Sequence, residues 1–239
     1  MKKFFLRFSI ILCLAILVVS FRADNSFDKV SVHVETKKLM KGKYVKSDAD
    51  VFYSISENKM LIHYTYPFEY IQIANNKGET KVYDPIKNEV IIQADQIHST
   101  KNDLLYLFFN NRISDLGLKD LGFRVAGMKN EDGQVITTYS PPPTLLESLQ
   151  KVELVHKNMM PIYSAYYDGK GKIAQKIFYY EYQSIPPYQI PTKITSYDYM
   201  PNGDSAITKK TYTGFKTGYD AESPWFKYQI PSNAKVLKL

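Results

Sequence analysis

Residues Asn58 to Ile92, NKMLIHYTYPFEYIQIANNKGETKVYDPIKNEVII, hold apolar and aromatic runs split by two turn signals, Asn75-Asn76-Lys77-Gly78 and Asp84-Pro85. In the first run Met60, Ile62, Tyr64 and Tyr66 alternate with Leu61, His63 and Thr65, the period of two of a strand with one packed face. In the second, Phe68, Tyr70 and Gln72 alternate with Glu69, Ile71 and Ile73, so this strand is apolar on both sides near its start. Asn and Gly in the intervening turn tolerate positive φ. The third run, Thr80 to Tyr83, is short. The stretch therefore reads as a β-meander, with more Tyr and Ile than one small sheet face needs. Two explanations follow: an ordinary β core, or a concave sheet whose inner face meets an apolar ligand.

The order of these signals resembles that of LolA-type lipoprotein carriers. There a long strand runs into an X-Pro step, an aromatic strand follows, and a turn leads to a Tyr-Asp-Pro or Tyr-Asn-Pro knuckle and a return strand. Tyr66-Pro67, Phe68 to Ile73, Gly78 and Tyr83-Asp84-Pro85 stand in the matching places. The family's usual Arg before this proline is Tyr66 here, so no role of that Arg transfers. The resemblance implies a mainly β (α+β) fold: a strongly curved antiparallel sheet forming an incomplete barrel, with short helices over its open side. It spans roughly Val51 to Leu239.

Elsewhere the chain alternates in the same way. Val30, Val32 and Val34 share one face, and their β-branched content argues against a helix over Asp28 to Met40. This departs from the family's opening amphipathic helix. Lys41-Gly42-Lys43 marks a turn into a strand at Tyr44 and Val45, broken at Asp48 to Asp50 and resumed at Val51, Tyr53 and Ile55. A helix is expected over Lys101 to Asn111, with Thr100 as its N-cap and Leu104, Leu105, Phe108 and Phe109 on one face. The resemblance makes this helix a cover for the open side, whereas the residues alone equally fit a helix packed permanently on the sheet. Leu116 to Phe123 reads as a short helix or turn, and Pro141-Pro142-Pro143 as a stiff connector. Asp168-Gly169 and Lys170-Gly171 mark a hairpin, and Pro201-Asn202-Gly203-Asp204 another. The tail, Phe226 to Ile230 followed by Pro231, matches the family's closing strand and polar turn.

Residues 1–23 read as an export signal. Lys2, Lys3 and Arg7 precede an apolar run, Phe8 to Val19, that falls short of the roughly 20 residues of a membrane span. Cleavage after Ser20 and after Ala23 are both compatible with the sequence, and so is retention as an anchor. The single cysteine, Cys13, lies in this run behind Leu12, where a lipid-attachment box needs a small residue. The chain is therefore expected to be exported, not lipid-anchored and without disulfides, with residues 24–239 forming one domain.

Net charge is +7, but Lys2, Lys3, Arg7 and Arg22 precede Asp24, and the remaining lysines are scattered at turns. Nothing forms the dense basic stripe of a nucleic-acid binder. His33, His63, His98 and His156 show no metal-ligand spacing, and the chain has no GxSxG elbow, phosphate-binding loop or cysteine nucleophile. No cofactor, metal or catalytic residue is expected. The resemblance implies a monomeric periplasmic carrier or chaperone. Its partners would be lipoprotein acyl chains or another lipid, together with inner- and outer-membrane sorting proteins. A sensor or regulatory module of the same fold and a hydrolase of envelope lipids or glycans are the alternatives. Aromatic and aliphatic side chains suit such a cavity, and the candidates for its wall are Tyr64, Tyr66, Phe68, Tyr70, Ile71, Leu105, Phe108, Phe109, Tyr166, Phe178 and Tyr180.

Overall fold

The computed structural model describes residues 27–94 and 100–237. The expected export signal, Cys13 and His98 lie outside them. The described residues form one 14-stranded sheet. Six strands run through the first part: β1 (Lys29–Met40), β2 (Lys43–Ser54), β3 (Lys59–Tyr66), β4 (Tyr70–Asn75), β5 (Glu79–Asp84) and β6 (Glu89–Ala94). A 3-10 turn at Thr100–Asn102 and the helix α1 (Leu104–Phe109) follow. The second part holds β7 (Arg124–Glu131), β8 (Gln134–Ser140), β9 (Leu149–Lys157), β10 (Met160–Asp168), β11 (Ile173–Ile185), β12 (Tyr188–Tyr199), β13 (Ser205–Thr217) and β14 (Lys235–Leu237).

The strand order is β14-β6-β5-β4-β3-β2-β1-β13-β12-β11-β10-β9-β8-β7. Each neighbour is antiparallel except β14, which lies parallel on β6. The sheet is large, curved and not closed into a barrel. Among the described residues α1 is the only α-helix, so cover by several short helices is reduced to one helix and 3-10 turns.

Three sequence expectations change. The strand at Tyr44 does not break at Asp48 to Asp50, because β2 runs unbroken through them. Both acids fall on the face opposite the core, where Asp48 meets Lys46 at 3.1 Å and Asp50 meets His33 at 2.9 Å. Phe68 precedes β4 instead of starting it, and is 76% exposed. The tail at Phe226 to Ile230 is not a strand. A 3-10 turn, Pro224–Lys227, starts it, with Ser223 accepting from the Trp225 amide, and the strand comes later as β14.

We call inner the face on which α1 lies. Its core joins Val30, Val32 and Val34 of β1, Val51 and Tyr53 of β2, Met60 of β3, Tyr179 of β11, Ile190 and Ile194 of β12, and Tyr212 of β13 with the helix. A second cluster, Leu118, Phe123, Tyr139, Val152 and Leu154, continues under the 113–123 loop. The outer face carries its own apolar cluster on the β2–β6 side, where Leu61, Ile71, Tyr83 and Val90 lie under the C-terminal segment. Trp225 stacks on His63 at 4.2 Å and on Phe52 at 6.0 Å between ring centroids.

Candidate functional site: the inner face beside the helix

Asp103, not Thr100, caps α1. Its backbone is extended and its carboxylate accepts from the Leu105 amide at 2.8 Å, the usual role of an N-cap side chain. Thr100 is buried and donates from its hydroxyl to the Asn58 carbonyl at 3.3 Å. The helix ends at Phe109, short of the expected Asn111, which takes φ +57, a left-handed terminus that Asn tolerates. At this end Asn110 donates from its side-chain amide to the Tyr53 hydroxyl at 2.7 Å and to the Tyr106 carbonyl at 2.9 Å.

The loop after α1 is tied to β8 and β9. His156 Nε2 lies 3.0 Å from the Ile113 carbonyl and Tyr139 donates to that of Ser114 at 3.5 Å. Asp115, itself buried, accepts from the Gly117 and Lys119 amides, so the segment read as a helix or turn is a succession of turns.

Two cavities flank the helix. One, about 510 Å³, lies between α1, the 113–123 loop and the inner rows of β10 and β11; Leu107, Leu118, Tyr166, Ile177 and Tyr179 line it. The other, about 210 Å³, lies between α1 and β11–β13, lined by Leu104, Leu107, Ile177, Tyr179, Ile194 and Tyr212 with Asp103, Gln175, Ser196, Thr208 and Lys210. Leu107, Ile177 and Tyr179 belong to both. A third hollow, about 660 Å³, opens over Tyr70, Val82, Ile91 and Leu237, with Phe68 and Ile86 at its rim.

Burial pushes the phenols of Tyr53, Tyr64, Tyr179 and Tyr212 well above the ordinary tyrosine range. They stay neutral at any physiological pH, and the wall remains apolar with hydroxyl tips. Burial likewise raises the Asp103 carboxyl, against the opposing pull of Lys210 and the Leu105 amide. Among the described residues no three His, Cys, Asp or Glu side chains are placed to hold a metal ion.

The expected wall residues separate by face. Leu105, Phe108 and Phe109 are buried in the inner core; Phe109 packs edge-on against Tyr188 at 5.0 Å and Phe108 lies 6.3 Å from Tyr182. Tyr64 and Tyr70 stack at 4.0 Å on the inner side, and Tyr166 lines the larger cavity. Tyr70 and Phe68 line the third hollow, away from the helix.

Four of the expected residues belong elsewhere. Ile71 follows an inner residue directly, so it faces outward into the cluster under Trp225. Phe178 and Tyr180 are on the outer row, where Phe178 meets Tyr163 at 5.0 Å and the Tyr180 hydroxyl meets that of Thr195 at 2.6 Å. The cause is a bulge: Tyr167 pairs with Ile173 but Tyr166 pairs with Gln175. The extra residue, Ala174, exchanges the faces of all that follow, placing Ile177 and Tyr179 inside. A second bulge acts on Tyr66. Ala49 pairs with Tyr64 and Asp48 with Tyr66, so Thr65 is extra and Tyr66 aligns with an outer-row position, 51% exposed.

No protein-family model and no curated protein matches the sequence. Solved structures do match in fold. A DUF1329 family protein from Desulfovibrio piger aligns with a TM-score of 0.59 and 15% identity over 88% of this chain and 94% of its own. An outer membrane lipoprotein-sorting protein domain from Vibrio parahaemolyticus aligns with a TM-score of 0.54 and 14% identity, over 83% and 89%. A LolA superfamily protein from Nitrosomonas europaea gives 0.53 and 14%, over 79% and 86%. With the curved open sheet and the helix on its inner face, these alignments show that the chain shares the fold of these three structures.

Proposed function

We propose that the protein is an exported carrier that holds the acyl chains of a lipoprotein or another lipid against the inner face of its sheet and ferries them across the periplasm towards the outer membrane, with α1 as a movable lid. The observation that supports this reading is the pair of cavities flanking α1, which share the apolar wall of Leu107, Ile177 and Tyr179. The larger falls within the roughly 300–1,000 Å³ of small-molecule pockets. An acyl chain gains about 0.8 kcal/mol for each methylene it buries there. It competes with the helix for the same wall, so cargo draws the lid open only as far as it binds the open form better.

Titration of the purified protein with a fluorescent fatty acid tests the proposal. Saturable binding at one class of site is expected, along with a co-purified lipid in mass spectra of freshly isolated protein. A protein with intact β circular dichroism and no saturable uptake contradicts it.

A further inference from the structure

The smaller cavity is not uniformly apolar, and its polar groups are segregated. On the inner face, Tyr212, Val34, Ala49 and Tyr64 form one cross-strand line. The next line towards the β1–β2 turn reads Ile194, Lys210, Thr36 and Ser47. The one after it reads Ser196, Thr208 and Lys38. The wall thus changes from apolar to polar within two residues, at the level where Asp103 caps the helix and joins Lys210 in lining the cavity.

The charges within this patch are unequally satisfied. Asp103 accepts from the Leu105 amide, and Asp198 accepts from Gln175 at 2.5 Å. Lys210 and Lys38 are both exposed, and neither has a hydrogen bond or ion pair among the described residues. They are diagonal neighbours on adjacent strands, since Lys38 pairs with Thr208 and Lys210 with Thr36, which sets their backbones about 7–8 Å apart. On β1, Lys29 pairs with Glu222 and Lys37 with Glu35, whereas Lys209 and Lys216 of β13 stand on the outer row, away from the cavity. Lys210 feels the nearby Asp103 carboxyl, but two ammonium groups that make no hydrogen bond or ion pair, beside hydroxyls at the edge of an apolar wall, complement an anionic oxygen group joined to a hydrocarbon chain.

We propose that Lys210 and Lys38, with Thr208 and Ser196, form a headgroup subsite, and that the preferred cargo is an amphiphile with an anionic phosphate or carboxylate head. This rests on the carrier reading and adds a substrate class to it. The acyl chain lies along Leu107, Ile177 and Tyr179, and the head reaches over Ser196 and Thr208 to the two lysines. The cargo's orientation follows from where the wall changes character.

The test is displacement of a neutral naphthylamine dye by two lipids of equal chain, monooleoyl lysophosphatidate and monooleoylglycerol, each below its aggregation concentration. The phosphate lipid is expected to bind about tenfold more tightly, the order of one or two charge-assisted hydrogen bonds. Raising salt from about 20 to about 500 mM should shrink that advantage. Lys210→Gln should remove most of it and Lys38→Gln part of it. Lys209→Gln, an equal loss of charge on the outer row, should leave it intact. A free phosphate ion at millimolar concentration should not displace the dye, because it lacks the chain. Equal affinity for the two lipids, or equal effects of Lys210→Gln and Lys209→Gln, overturns the subsite while the carrier reading stands. If neither lipid displaces the dye, the carrier reading fails and the subsite with it.

Discussion

The side-chain amide of Asn110 donates to the hydroxyl of Tyr53 at 2.7 Å and so fastens the end of α1 to the middle of the sheet. Tyr53 is wholly buried, and Phe109 from the same helix packs against its ring at 6.5 Å. Removing the hydroxyl leaves the packing and cuts this bond together with the longer one that the hydroxyl donates to Asn58 at 3.5 Å, at a typical net cost of about 0.5–1.5 kcal/mol, set mainly by the shorter bond. Tyr53→Phe is therefore expected to lower urea stability by that amount and to quicken dye uptake. In hydrogen exchange, the amides of Leu105 to Asn110 should lose protection in the variant, and in the wild type when ligand is added. Protection equal to that of the central strands with and without ligand would show a permanent core helix.

Asp103 links stability to pH. Burial holds its carboxyl above the ordinary value of 3.8, despite Lys210 and the Leu105 amide. An acid raised in the folded state binds more protons folded than unfolded, so its contribution is fully present below 3.8 and is lost as pH climbs through the folded value. Asn caps a helix as well as Asp. Asp103→Asn should thus match the wild type in strongly acidic buffer and exceed it in stability at neutral pH. Denaturation at a series of pH values checks this, and a variant less stable at pH 7 would reverse the sign.

The two faces predict opposite phenotypes. Ile71 supports the outer cluster beneath the C-terminal segment, and truncating such a residue costs about 2–5 kcal/mol. Ile71→Ala should unfold at lower urea yet keep its affinity for a fluorescent fatty acid, and Phe178→Ala should keep it too. Ile177→Ser, in the wall common to both cavities, should weaken binding by about tenfold, the loss of one to two buried methylenes' worth of contact. Equal losses for Ile177 and Phe178 would mean that the face assignment is wrong.

Much of this arrangement is legible from alternation. The turns at Asn75 to Gly78 and Asp168 to Gly171, the strand faces of Val30 to Val34, and the apolar helix around Leu105 and Phe108 are all local patterns. The adjacency of Tyr70 and Ile71 already forbids both from lining one wall. What alternation cannot supply is the extra residue. Thr65 and Ala174 look like ordinary strand residues, and only the paired strand reveals that each is unmatched. One such residue moves Phe178 outward and Tyr179 inward. The cover of the outer face by Trp225 is equally non-local, because it depends on a segment far along the chain folding back onto His63. The polar step at Lys210 emerges only when β13 is laid between β1 and β12.

The most direct measurement of the central claim is photo-crosslinking with a fatty acid that carries a diazirine near its methyl end, followed by peptide mass spectrometry. The account predicts labels at Leu107, Leu118, Ile177 and Tyr179, all lost when unlabelled lipid is added in excess. Labels confined to the outer row at Phe178 and Tyr180, or to the Trp225 segment, would contradict it.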